Sequence, residues 1–131
     1  MTHAWLKDAT WSVVTEINRQ LCAPKAAQHG RTSDGHTAAQ RLWDATHRRA
    51  LDLRQVAELC HECHRLAPFL NYNGNTFVAV ARQTVAQLTL PPAQAALLRS
   101  IIGHIVAGTA EPPEHAKFLQ LVQNLGANDG A

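Results

Sequence analysis

The sequence predicts an all-α protein, a compact single-domain bundle of about six helices spanning 1–131 with one apolar helix buried at its centre. Three observations carry this. Apolar residues recur at three- and four-residue spacing through most of the chain, the period of a helix face. Ala, Leu and Gln are plentiful while aromatic residues make up 5% of the 131, which favours helix over sheet. Pro and Gly fall mostly between the periodic segments, where they punctuate them, and a chain of this length makes one domain with a single core.

In order, Trp5, Leu6, Ala9, Val13, Ile17 and Leu21 mark a first helix from about Ala4 to Cys22, closed by Pro24. The stretch 23–36 carries Pro24, Gly30, Thr32-Ser33-Asp34 and Gly35 and reads as a long loop or flap. Thr37 is placed to cap a short helix to about Arg48, burying Leu42 and Trp43. Asp52 followed by Gln55 has the form of a capping box, so a helix with Val56, Leu59, Cys60 and Cys63 inward starts there and ends before Pro68.

A further helix follows Gly74, with Asn75 or Thr76 as its cap and Phe77, Val80, Ala81, Val85 and Leu88 on its apolar side, and Leu90-Pro91-Pro92 ends it. From Ala93 to Ala107 apolar residues cover nearly every face, which predicts the central buried helix, with His104 as a core histidine bonded to backbone. The last helix places Phe118, Leu119, Val122 and Leu125 on one face and stops at Gly126, leaving 127–131 as a frayed tail.

Charge and cysteine usage narrow the function. The net charge of +2 is spread along the chain, and His47-Arg48-Arg49 is a short solvated knot, so nucleic acid is not an expected partner. The first residues are charged and lack a sustained apolar run, so neither a signal peptide nor a membrane span is expected; the expected compartment is the cytoplasm, with secretion as an effector the alternative. Three cysteines without an export signal read as reduced thiols.

The most informative stretch is Ala67-Pro68-Phe69-Leu70-Asn71-Tyr72-Asn73-Gly74-Asn75-Thr76, a polar loop between two helices that ends on a helix N-terminus. The unsatisfied first-turn N–H groups and the positive end of the helix dipole make such a loop a candidate phosphate cradle. The alternative is a turn at Asn73-Gly74 followed by an ordinary cap.

The run from Leu59 through Leu88, LCHECHRLAPFLNYNGNTFVAVARQTVAQL, resembles the Fic/Doc (Fido) family, whose motif reads His-Pro-Phe-x-Asp/Glu-Gly-Asn-Gly-Arg between two helices. Pro68, Phe69, Asn73 and Gly74 match; Ala67 falls at the His, Asn71 at the acidic position, Tyr72 at the first Gly, Asn75 at the Arg, and Val78 where many members carry a second Arg. The resemblance implies an all-helical fold with Phe69 beneath the 93–107 helix and Asn73 facing a cleft. It also implies ATP or another nucleotide with Mg as ligand, held by Asn71, Asn73, Gly74, Asn75 and Thr76, and a protein partner, either a target or an antitoxin-like regulator.

The family's base, metal-holding acid and phosphate-gripping arginine are replaced here by groups unable to do the same chemistry. The expectation is therefore a degenerate Fic/Doc-like protein, a pseudoenzyme without ordinary AMP- or phosphoryl-transferase activity, that retains nucleotide or phosphate binding or acts through protein interaction in toxin–antitoxin or effector biology. One alternative is an active transferase using His64, one turn before Ala67, as its base. Ser12 and Glu16 approach the family's inhibitory-helix pattern, but with Asn75 in place of the motif arginine they read as helix surface.

A second alternative comes from Cys60-His61-Glu62-Cys63-His64, which fits the Cys-x-x-Cys-His pattern of covalent haem attachment and places Cys60, Cys63 and His64 on one helix face as zinc ligands. His36 and His104 are the distant candidates for a fourth ligand. The regular apolar period that both cysteines complete favours structural thiols, so no metal is assigned.

Overall fold

A computed structural model describes residues 1–129, with side chains through Leu125. Six helices follow one another: α1 (Trp11–Cys22), α2 (Asp34–Thr46), α3 (Leu53–Leu66), α4 (Asn73–Ala86), α5 (Pro92–Ala107) and α6 (Pro112–Asp129), with a 3₁₀ turn at Ala23–Lys25. There is no strand among the described residues, and two isolated antiparallel bridges pair His3 with Leu51 and Arg31 with Phe69.

The first helix starts later than its apolar period suggests. Residues before Trp11 are captured by tertiary bonds: His3 and Leu51 exchange N–H···O bonds of 3.0 and 2.9 Å, His47 Nδ1 donates to the Leu6 carbonyl (2.9 Å), and the Trp43 indole donates to the Ala9 carbonyl (2.7 Å). Those carbonyls are then lost to a helix ladder, and Thr10 caps α1 instead, its Oγ accepting from Val13 N–H. Leu6 still reaches the core as part of this turn, which explains why it fitted the period.

The second helix starts earlier, at Asp34 after Ser33, and Thr37 bonds back to the Ser33 carbonyl from inside it. Gly35 makes this start fit. A Cβ there would lie 2.2 Å from the Leu66 carbonyl oxygen and 2.8 Å from that of Ala67, so glycine alone lets the head of α2 abut the tail of α3. The α3 capping box forms as the sequence predicts, with Asp52 Oδ1 accepting from Gln55 N–H (2.8 Å) and Gln55 Oε1 accepting from Asp52 N–H (2.9 Å).

The central helix is α4 and not the 93–107 helix. Phe77, Val80, Ala81 and Val85 are buried, and α4 packs against α1, α3 and α5. By contrast, α5 buries one stripe, Leu98, Ile101, Ile102 and Val106, while Leu97 is 41% exposed and Ala93, Ala96, Arg99 and His104 face solvent. Alanines inflated the apolar count there, and a methyl group needs little burial. His104 is accordingly no core histidine: its Nδ1 lies 2.6 Å from Glu114 Oε2 and ties the end of α5 to the start of α6.

In α6 the inward residues are Phe118 and Leu121, with Val122 and Leu125 partly covered and Leu119 turned out at 45% exposure. The helix continues through Gly126 to Asp129, so Gly126 is not its stop and 127–129 are not frayed; residues 130–131 of the expected tail lie outside the described residues. A lone glycine costs a helix about 1 kcal/mol, too little to end it without a left-handed turn. No helix is long and apolar enough among the described residues to cross a membrane.

Candidate functional site: the motif loop and the arginine groove beside it

The loop after α3 begins with Ala67 in left-handed conformation (φ 50°), a helix-ending geometry in which its N–H bonds the His64 carbonyl, and Pro68 cannot continue the helix. Phe69 is buried, and its ring stacks on Trp11 (centroids 5.6 Å apart) and on Phe77 (6.4 Å). Edge-on, His36 of α2 completes its aromatic surroundings (6.2 Å), and Phe69 shares one buried cluster with Ile101 and Ile102 of α5. The Asn73 amide folds back on the loop: Oδ1 accepts from Phe69 N–H (2.9 Å) and Nδ2 donates to the Phe69 carbonyl (2.8 Å). Asn73 thus clamps the loop's own backbone instead of facing a cleft.

The opposite side of the loop is held by the 28–32 segment. Thr32 N–H donates to the Pro68 carbonyl (2.9 Å), Leu70 N–H to the Gly30 carbonyl (3.0 Å), and Asn71 Nδ2 to the Gln28 carbonyl (2.9 Å). Beneath them Asn18, fully buried, donates to the Asn71 carbonyl (2.8 Å) and Thr76 Oγ (3.0 Å), and Thr76 Oγ in turn donates to the Tyr72 carbonyl (2.7 Å). Of the stretch 23–36, residues 23–25 form the 3₁₀ turn, 28–32 are a strap pinned to the loop, and 34–36 open α2.

The side chains expected to line the cradle are accordingly not turned toward a common ligand. The side chains of Asn71, Asn73 and Thr76 are spent on the loop, and α4 starts at Asn73 after a left-handed Tyr72, so Asn75 and Thr76 lie inside its first turn and are not caps. Gly74 is covered by His64: a Cβ there would meet the imidazole Cε1 at 3.3 Å. His64 has a buried Nδ1 without a partner, and burial together with neighbouring His61 pushes its pKa down, the Ala107 carbonyl opposing. The ring is a neutral plug against the loop, and it lines neither of the clefts described below.

The thiols do not fit a metal or haem. Cys60 and Cys63 are fully buried, Cys63 Sγ lies 3.9 Å from the Ala39 carbonyl, and among the described residues no three ligand side chains converge. Burial raises both pKa values, that of Cys63 to about 12, as for inert core thiols. Glu16 pairs with Arg19 on the surface of α1, as its reading as helix surface requires.

Of the five residues expected to hold phosphate, Asn75 alone opens onto a groove. This groove, about 400 Å³, runs along α4 past Val78 and Ala79 to Arg82 and Gln83 and is bounded by Arg99 of α5. Asn75, Val78 and Arg82 are spaced three and four residues apart, which stacks them on one helix face. Arg82 is held in place: its Nε donates to the Arg99 carbonyl (3.2 Å), and its guanidinium lies over buried Gly103, where a Cβ would sit 2.6 Å from Nη2. Neither arginine has a carboxylate partner among the described residues.

An uncompensated guanidinium held in place beside a second arginine is suited to a multiply charged oxyanion, which guanidiniums grip through forked N–H donors. Magnesium does not fit: no carboxylate lines the groove, and Asn71, at the family's acidic position, has its amide bonded to Gln28. The sequence reading missed Arg82 and Arg99; their place one turn beyond Val78 and on the facing helix was a usable signal only for Arg82. No family model, curated protein or solved structure matches the chain.

Proposed function

We propose that this is a phosphate-binding helical domain that takes a nucleotide or pyrophosphate-like ligand in the Arg82–Arg99 groove and performs no transfer chemistry on it. The observation that carries the reading is the Arg82 seat over Gly103, which fixes a guanidinium beside a second unpaired arginine. A degenerate Fic/Doc-like origin is compatible with it: Asn75 and Val78 stand where that family carries arginines, and Arg82 restores a cation one turn, about 6 Å, further along the same face. The groove offers amides and guanidiniums but no general base or nucleophile, which is the reason for excluding transfer.

The test is calorimetric titration of the full chain with ATP, ADP and pyrophosphate in the presence of a chelator. Saturable binding is expected, weakening with salt, and Arg82→Ala and Arg99→Ala should each weaken it by about tenfold, the loss of one charge-assisted contact. Absence of saturable binding, or binding indifferent to both substitutions, overturns the proposal. Covalent labelling of the chain or of an added protein from ATP, abolished in His64→Ala, would restore the transferase alternative.

A further inference from the structure

A second cleft, independent of the arginine groove, opens between α1, the 29–31 part of the strap and α2. It holds about 460 Å³ and is lined by Ser12, His29, Arg31, His36 and Gln40 over a floor of Trp11 and Phe69. No carboxylate lines it, and Glu16, the acid nearest in sequence on α1, is occupied by Arg19.

The protonation pattern of its walls is fixed by their bonds. The Trp11 indole donates to His36 Nε2 (3.1 Å), and since an indole N–H has no acceptor role, that nitrogen is bare and the neutral ring carries its proton on Nδ1. Burial, and then the charge of Arg31, hold His36 in this neutral form. His29 Nδ1 donates to Asn18 Oδ1 (3.0 Å), whose amide orientation is set by the bonds Asn18 Nδ2 makes to Asn71 and Thr76. The cleft thus offers one permanent positive charge, Arg31, with neutral donors at His36, Gln40 and Ser12.

We propose that this cleft binds a small carboxylate, with Arg31 as the counter-charge, the His36 Nδ1–H and the Gln40 amide as further donors, and the Trp11–Phe69 floor beneath the ligand's body. One fixed charge matches a monoanion. A phosphate dianion is better served by the paired arginines of the other groove.

The experiment is a titration of the isotope-labelled full chain with benzoate, with neutral benzamide of the same shape and with inorganic phosphate, followed on the Trp11 indole N–H signal. Benzoate should shift that signal saturably. Benzamide should bind about tenfold more weakly, Arg31→Gln should cost benzoate about tenfold, and Arg82→Ala should leave it unchanged. Arg31 is exposed, so its variant should keep the thermal midpoint of the parent. Equal binding of benzoate and benzamide, indifference to Arg31→Gln, or no saturable shift overturns the proposal, and phosphate outcompeting benzoate at this signal overturns the carboxylate class.

Discussion

Gly103 is a residue whose cost to its own helix has a visible use. A glycine in the middle of α5 sacrifices about 1 kcal/mol relative to alanine. What it provides is room for the Arg82 guanidinium, which a Cβ would push aside. The obstructing atom is the end of a flexible side chain, so Gly103→Ala should leave stability equal or raised by up to about 1 kcal/mol in denaturant while pyrophosphate affinity falls about tenfold. Loss of both together would mean that Gly103 serves the packing of α5 and not the seat of Arg82.

The two depressed imidazoles add a pH dependence at the same scale. His64 and His36 both have folded pKa values below the ordinary 6.5, each chiefly through burial. The unfolded chain therefore binds more protons than the native one in that interval. Their contribution to stability is complete above pH 6.5 and is lost as pH falls through the folded values. Denaturation midpoints at about pH 7.5 and about pH 5.5 should show a lower value in acid, and His64→Gln should flatten the slope. A slope unchanged by that substitution would assign it to other groups.

At the scale of elements, what was legible in the sequence is what local chemistry decides. The Asp52–Gln55 box needs four residues and formed as read; Asp52→Ala should cost about 1 kcal/mol by removing the acceptor for Gln55 N–H, measured as a shift in denaturation free energy, and a change within error would show the box to be redundant with α3 packing. The breaks at Pro68, Pro91-Pro92 and Pro112 are equally local. Ala4–Thr10 was not legible, because the carbonyls that would have continued α1 are taken by His47 and Trp43 from forty or so residues away in sequence. The same holds for the site. Asn73 and Thr76 have the composition of a cradle, and their use on Phe69, Tyr72 and Asn18 appears only when α1 and α4 are packed together.

At the scale of the whole molecule, the strap and the motif loop behave as one body with the core. Trp11, Phe69 and Phe77 form a stack from α1 through the loop to α4, and Trp43 closes it from α2. Backbone bonds from Thr32 to Pro68 and from Leu70 to Gly30 join the strap to that stack. A hinged lid would exchange its amide hydrogens freely, whereas the Thr32 and Leu70 amides should be protected to within an order of magnitude of the α4 core. Phe69→Ala should then remove about 3–5 kcal/mol from a total that is typically 5–15. It should also accelerate exchange at Thr32 and Leu70 more than at Val80 or Ile102, because those core amides retain their helices when the loop loosens. Thr32 exchanging in the parent chain at the rate of an unstructured peptide would show that the strap opens independently, and the cleft between α1, the strap and α2 would then have to be understood as the opening under a mobile cover.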